Sequence, residues 1–473
     1  MMRDKIKKVI IVGCGAAGRL LLHDIVQNHK TISCLGYVDD LKKSNSVRIL
    51  GPIRNLVELV ENYRVDEILI AVPSSNGKLV RRVLLQLIST RIPIKIVPRT
   101  QMVIKTGLVR YADLREAEAQ DFLGRPFIKH NIEKLSAWYK DKVVLITGGA
   151  GSIGSEIVRQ LMELGTKKVI VYDFSEYLMF NLDQMLKDVG MRDKCELIIG
   201  NILNANKVSQ IFKKDKPNIV IHAAAYKHVY LMEDNLDEAI INNIQGTKTI
   251  TDLVIQNQIS NFVFISTDKV VNASSIMGAT KNLCELYIRH SYHGQKKLIF
   301  NIVRFGNVIN SNGSVLPLFE KQIKERSEIT VTDRKVKRFF MSTREASQLV
   351  IESTAWGIKN SIHVLDMGEL LSIYEIALCT IRSRNLIPEV DVKIKFIGLR
   401  KGEKMIEELY TNRERGNLID TKIPRVFGLE KLVLHNNKII ALEEELINLA
   451  RKCNIKGIKR ILNEEFPTLS KAH

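Results

Sequence analysis

The sequence predicts an α/β protein built as two parallel-sheet domains in tandem, the second carrying a smaller lobe. Two observations carry that prediction. Apolar strand-like runs alternate with helical patterns from one end of the chain to the other, which is the pattern of parallel sheets covered by helices. The pattern also starts twice, each time with an apolar run feeding three spaced glycines and then a helix: KKVIIVGCGAAGRLLLHDIV from Lys7, and KVVLITGGAGSIGSEIVRQL from Lys142.

A chain of 473 residues is too long for one ordinary core. Hydrophobic content of 45% with 26% charged residues belongs to a globular protein, not a disordered one. No apolar run reaches the roughly 18 to 20 residues needed to cross a bilayer. MMRDKIKK leads into a strand instead of a signal-peptide apolar region, so a cytoplasmic chain is expected. Cys14, Cys34, Cys195, Cys284, Cys379 and Cys453 form no CxxC pair, which points to reduced thiols and to no metal site. The net charge of +19 is spread without a block of five or six like charges. That spread argues against a nucleic-acid partner and leaves an anionic substrate or an anionic membrane surface.

Residues 1–105 form the first expected domain, with strands at Val9–Val12, in CLGYVDD ending on Asp39 and Asp40, at Ile68–Val72 and at Ile94–Val97. Residues 106–140 read as a polar connector containing LREAEAQDFLGRPFI. The second domain, 141–430, has strands in KVVLIT and at 169–173, 196–200, 219–225, 262–267 and 298–307. Its periodicity loosens over 308–430, as expected of a substrate-binding lobe, and 431–473 is a helical tail.

Gly148, Gly151 and Gly154 stand between strand and helix, where glycine permits a tight turn and close approach of a pyrophosphate to the helix N-terminus. Asp173 closes the next strand about 20 residues on, where a carboxylate accepts hydrogen bonds from an adenosine ribose. No Arg or Lys directly follows Asp173, so NAD is preferred and NADP is the alternative. Gly13, Gly15, Gly18 and Asp39 obey the same rule, but no catalytic segment follows them. The first domain therefore reads as a Rossmann-like fold that keeps its turn for packing or binds a nucleotide for regulation.

IHAAAYKHVY ends a strand on small residues that let a cofactor lie against the sheet edge. Of Tyr226, Lys227 and His228, Lys227 is the best candidate partner for a diphosphate. The next long strand delivers Ser266, Thr267, Asp268 and Lys269 at its carboxyl end. Met277 and Lys281 follow at i and i+4 on one helical face. Arg304 and Asn307, then Arg338, Arg400 and Lys404, suggest an anionic substrate, because an arginine fork suits phosphate oxygens.

TGGAGSIGSE, HAAAYKHV, STDK with MGATK, RFGNV, RFFMS with Glu345 and Ala346, LDMGE and GLRKGEK stand in one order. Together they resemble the CapD-like polysaccharide-biosynthesis proteins, nucleotide-sugar 4,6-dehydratases of the extended short-chain dehydrogenase/reductase superfamily. The resemblance covers essentially the whole chain, since YVDD and DFLGRPFI are similar to the extra N-terminal part of the long-form members. Those members usually carry membrane helices ahead of it, and the expectation here is either a naturally soluble version without them or a chain that begins at an internal start. Ala273, Tyr230 and Lys401 stand where the family usually has proline, and Asn201 where it has aspartate.

The resemblance implies an extended short-chain dehydrogenase/reductase fold for the second domain, UDP-N-acetylglucosamine as substrate, and a nicotinamide cofactor oxidised and reduced within one turnover. It implies Asp268 as acid and Lys269 as base, and Lys281 on the nicotinamide ribose. Ser152, Ile153, Asn201, Ile202, Ala223, Ala224 and Asn243 are further cofactor positions. Lys227, Arg304, Asn307, Arg338, Arg400 and Glu403 are implied on the substrate side. A Tyr four residues before the Lys is usual in the superfamily; Met277 stands there, as in long-form relatives that retain C5 configuration. The proton of the C4 hydroxyl then goes to Asp268, to Thr267 through water, or to a group in AYKH. A homo-oligomer and a peripheral association with membrane glycan machinery are the expected partners. The competing readings are a UDP-N-acetylglucosamine or UDP-glucose 4-epimerase and a non-catalytic nucleotide-binding partner.

Overall fold

The computed structural model describes residues 6–40, 47–73, 77–98, 109–125, 130–293, 295, 297–429 and 438–469. The end of DFLGRPFI, residues 126–128, and the serines of AVPSS lie outside them. The chain divides into two compact units: Met1–Phe127 with Ser314–Lys335 and Leu371–Gly398, and Ile128–Gly313 with Val336–Leu370 and Leu399–His473.

The first unit holds β1 (Lys7–Val12), β2 (Ile32–Val38), β3 (Ile49–Gly51), β4 (Glu67–Ile70), β5 (Ile94–Ile96) and β6 (Arg115–Glu116). They form one sheet in the order β3-β2-β1-β4-β5-β6, parallel except for β6. Val9, Ile10, Ile11 and Val12 are completely buried, as expected of a strand covered on both faces. β3 and β6 were not expected, being too short to show a period. The strands Glu328–Val331 and Lys393–Phe396 pair in parallel within this same unit. Arg382, on the helix Ile373–Ser383, is fully buried there and donates to the carbonyls of Leu87 at 2.7 Å and Ile92 at 2.5 Å. One stretch of the expected lobe is thus tied to N-terminal residues through backbone carbonyls and the other to it by strand pairing, which no local pattern reveals.

The second unit contains β7 (Val143–Thr147), β8 (Lys168–Asp173), β9 (Cys195–Ile199), β10 (Ile219–His222), β11 (Asn261–Ile265) and β12 (Ile299–Arg304). Its nine-stranded sheet continues past β12 through Ser361–Leu365, Val426–Leu429 and Leu418–Asp420, the last two antiparallel. From β9 to β12 the order is β9-β8-β7-β10-β11-β12, all parallel, so the switch in winding lies between β7 and β10. That is where a doubly wound sheet opens a crevice beyond its carboxyl ends. β10 ends at His222 and β12 at Arg304, earlier than the sequence pattern suggested, so Ala223–Ala225 and Phe305–Gly306 are loop residues at that crevice.

The tail forms two helices, Lys438–Arg451 and Ile455–Glu465, broken where Cys453 takes a φ of 51° and Asn454 caps Gly457. Leu446, Ile447, Ala450, Ile458, Ile461 and Leu462 join the same buried cluster as Ile240, Ile244 and Ile276. Among the described residues no helix is long and apolar enough to cross a membrane.

Candidate active site

The glycine turn after β7 is built from close approach. Gly148 has a φ of +67°, and a Cβ on it would lie 2.5 Å from the Ala224 nitrogen. A Cβ on Gly154 would lie 2.3 Å from the Gly148 carbonyl oxygen, so the helix packs directly on the turn. Gly151 caps the helix Ser152–Glu163 without a side-chain hydrogen bond, leaving the first-turn N–H groups of Ser152, Ile153 and Gly154 without a partner inside the helix. Asp173, buried at the end of β8, accepts from the backbone N–H of Ala150 at 3.1 Å and of Ser175 at 3.0 Å. Each carboxylate oxygen keeps a second lone pair, the capacity a ribose diol requires. This cradle fits a dinucleotide.

Two further cofactor positions act on the protein itself. The Asn201 side chain accepts from the Leu203 N–H at 2.9 Å, and Ile202 packs under Gly246. Asn243, fully buried in the π-helical turn Ile240–Gln245, accepts from the Tyr226 N–H at 2.8 Å and donates to the Tyr226 carbonyl at 3.1 Å. It also donates to Thr280 at 3.2 Å, so one amide clamps the AYKH loop to the helix that carries Lys281.

That helix, Ile276–Ser291, starts where the Ser275 hydroxyl accepts from the Gly278 N–H. Lys281 is buried, donates to the Ile265 carbonyl at 2.7 Å and stands 3.7 Å from the Phe264 ring centroid. Burial lowers its pKa to about 8. Met277 is 3% exposed and belongs to the apolar cluster beneath the helix.

Asp268 and Lys269 occupy a 3-10 turn just after β11. Asp268 is 1% exposed; its Oδ1 accepts from the Lys269 ammonium and from the Thr267 hydroxyl, each at 3.0 Å, while Oδ2 has no hydrogen-bond partner. Oδ2 would lie 2.9 Å from a Cβ on Gly306, so a glycine is needed there. Lys269 also donates to Asn307 at 3.0 Å, which makes Asn307 a holder of the lysine. Burial lowers the Lys269 pKa, and the charges of Asp268 and Glu407 more than reverse it, so the net shift is upward. Glu407 was not singled out from the sequence. It is 5% exposed, with its Oε1 at 3.7 Å from the Arg338 guanidinium and its Oε2 without a partner. The signal lay three residues past GLRKGEK, where a second acidic pair begins.

The expected arginines separate into buried and exposed. Arg304 is corrected: it is 4% exposed and spends its donors on Glu285, at 2.5 and 2.8 Å, and on Glu414 at 2.7 Å. Burial lowers its pKa and the two carboxylates raise it further, leaving it a structural cation inside the fold and not a phosphate fork. Arg338, also buried, donates to Glu403 at 2.8 Å and to the carbonyls of Lys337 and Met405. Glu403 is thereby a partner of Arg338, and it accepts from the Arg400 N–H at 3.3 Å. Arg400 is exposed, its guanidinium 4.9 Å from the Tyr230 ring centroid. Lys227 is exposed as well; crowding by surrounding protein and the charge of Lys269 lower its pKa.

Among the described residues no group of three or more His, Cys, Asp or Glu side chains is arranged to hold a metal ion.

Residues 144–428 match the family described as polysaccharide biosynthesis protein, and residues 1–98 match the CoA-binding domain family. The capsular polysaccharide biosynthesis protein CapD of Staphylococcus aureus is 35% identical over 416 residues, 86% of this chain and 69% of the relative. A UDP-glucose 4-epimerase of Rickettsia bellii is 31% identical over 341 residues, 68% of this chain and 96% of the relative. The X-ray structure of Pen from Bacillus thuringiensis aligns with a TM-score of 0.58 at 34% identity, covering 63% of this chain and 90% of Pen. With a family model matched across most of its second unit and CapD 35% identical over 86% of its length, this chain belongs to the CapD-like polysaccharide biosynthesis proteins.

Proposed function

We propose that the protein is a nucleotide-sugar 4,6-dehydratase that converts UDP-N-acetylglucosamine to a UDP-4-keto-6-deoxy-N-acetylhexosamine with bound NAD, for a surface polysaccharide or glycan. The observation that supports this reading is buried Asp268 paired at 3.0 Å with partly buried Lys269 just after β11, whose last residue, Ile265, accepts from Lys281 at 2.7 Å. NAD supplies the acceptor for the C4 hydride and later the donor to C6. Lys281 holds the nicotinamide ribose and contributes positive charge. Once C4 is a ketone the C5 proton is acidic. Lys269 removes it while Asp268 delivers a proton to the departing C6 hydroxyl. Lys227 and Arg400 meet the diphosphate. A cytoplasmic homo-oligomer, working beside membrane glycan machinery and retaining C5 configuration, completes the reading.

The epimerase relatives favour a second reading, in which hydride returns to the other face of C4. An acid and a base aimed at C6 and C5 have no task in that reaction. Proton NMR of the protein with UDP-N-acetylglucosamine in deuterated buffer separates the two. The expected result is a 4-keto-6-deoxy product with deuterium at C5; UDP-N-acetylgalactosamine would establish epimerisation, and unchanged substrate would remove both.

A further inference from the structure

The residues leading into the Asp268–Lys269 turn are gripped by the Lys281 helix at two successive positions. The Ile265 carbonyl accepts from the Lys281 ammonium at 2.7 Å, and the Ser266 hydroxyl donates to Glu285 at 2.5 Å. Lys281 and Glu285 stand at i and i+4 on the helix Ile276–Ser291, so a single helical face makes both contacts. A hydroxyl donating to a carboxylate forms a short, charge-assisted bond, which suits the second contact.

The same residues are held from the other side by β12. The Ser266 N–H donates to the Val303 carbonyl at 2.8 Å, and the Asp268 N–H donates to the Phe305 carbonyl at 3.1 Å. Between those two acceptors stands Arg304. Its Nη2 donates to Glu285 Oε2 at 2.5 Å and its Nε to Glu285 Oε1 at 2.8 Å, a two-pronged pair with fixed orientation. Its Nη1 donates to Glu414 at 2.7 Å, and Glu414 is itself fixed by a capping box with Thr411. The ends of β11 and β12 and the Lys281 helix therefore close a ring of hydrogen bonds. Ser266, Lys281, Glu285 and Arg304 are each 5% exposed or less.

Stability alone does not call for an ion pair at this place. A buried pair gains little over apolar side chains of similar volume, because desolvation offsets the attraction. Apolar side chains, however, supply no direction, whereas the two Glu285 oxygens fix where Ser266 and the helix stand relative to Arg304.

We propose that Glu285, oriented by Arg304, is a positioning residue that holds the Lys281 helix in register with the residues leading into the Asp268–Lys269 turn. The inference rests on the dehydratase reading, in which Lys281 holds the nicotinamide ribose while Asp268 and Lys269 act on C6 and C5. Cofactor and sugar must meet in one geometry, and a misplacement of about 1 Å costs up to about 10²-fold in rate.

The test compares the wild-type full chain with the double variant Glu285→Leu/Arg304→Met, which removes both charges of the pair and keeps apolar volume in their place. Melting temperature, NAD content, kcat and KM for dehydration of UDP-N-acetylglucosamine, and a crystal structure are measured for each. The expected result is a folded variant whose kcat per bound NAD falls by about tenfold or more with KM changed by less than about twofold, and whose Lys281 ammonium has left hydrogen-bond reach of the Ile265 carbonyl. A purely structural pair would not produce that split. Wild-type kcat in the folded variant, or a Lys281 contact retained at 2.7 Å, would overturn the proposal. If the double variant does not fold, Ser266→Ala is read instead, because it deletes only the hydroxyl link: the same split and the same loss of the Lys281 contact are expected, and wild-type values overturn the positioning role. A wild-type chain that does not dehydrate the sugar fails the parent reading, and the Lys281 contact in the variant then decides the positioning role alone.

Discussion

The chain contains two glycine turns that look alike in sequence and differ in what stands behind them. In both, the third glycine packs on the carbonyl of the first: a Cβ would lie 2.0 Å from Gly13 O at Gly18, and 2.3 Å from Gly148 O at Gly154. In both, the acid ending the second strand accepts from the turn, Asp39 from the Cys14 N–H at 2.8 Å and Asp173 from the Ala150 N–H at 3.1 Å. The difference is on the neighbouring strand. Gly13 faces the Val72 side chain, with a notional Cβ only 2.3 Å from its methyl, whereas Gly148 faces the bare backbone of Ala224. Behind Gly13 the strand ends are apolar, Val12 and Ile70. Behind Gly148 they are Thr147 and His222, bonded at 2.6 Å, with His222 also 3.0 Å from Thr247. Shared turns thus report a shared fold, while the reactive site depends on the loops that follow the later strands.

The comparison breaks most sharply at the acid. Asp268→Asn should lower dehydration by about 10²- to 10⁴-fold, the usual worth of a positioned proton donor, with NAD content unchanged. The NMR assay measures it, and near-normal turnover would remove Asp268 from the role. No equivalent substitution exists after β5, which holds the place of β11 in the first sheet and is followed by Val97 and Pro98.

The second glycine of each turn sharpens the comparison. A Cβ at Gly15 meets nothing within 4 Å, and at Gly151 only the Gly148 oxygen at 3.3 Å. Gly15→Ala and Gly151→Ala should each cost little stability. Gly151→Ala should nonetheless weaken NAD binding about tenfold, or about 1.4 kcal/mol, measured by cofactor retention, while Gly15→Ala leaves NAD binding unchanged. Equal losses would assign the cofactor to both turns.

The remaining test is the pH response of the second unit. Burial pushes the His222 pKa down from 6.5 to about 3, so the folded state favours neutral imidazole. A depressed folded pKa means stability is full above pH 6.5 and falls as pH drops towards 3, by up to about 1.4 kcal/mol per pH unit. Urea unfolding of wild type between pH 7 and pH 5 should show this loss, and His222→Asn should flatten it. A variant as pH-sensitive as wild type would place the dependence elsewhere.

Much of this was legible in the sequence, for local reasons. The glycine turns are steric statements about neighbouring backbone, the buried strands are continuous apolar runs, and Asp268 and Lys269 are adjacent in the chain. The sequence does not separate buried arginines from exposed ones, because a guanidinium looks the same whether it faces a phosphate or a carboxylate. Arg304 meets partners 19 and 110 residues away. Asn307 reads as a substrate contact until the fold brings Lys269 to it across 38 residues.

The sequence by itself determined the two α/β units, the cofactor turn and the adjacency of Asp268 and Lys269, since each is encoded within a few residues by sterics or adjacency. Only the tertiary structure decided which cations are neutralised inside, which stretches of the later chain join the first unit, and that Glu407 is buried 3.7 Å from Arg338. Burying a charge requires a partner, and that partner is supplied by whatever the fold brings near, at separations no local pattern encodes.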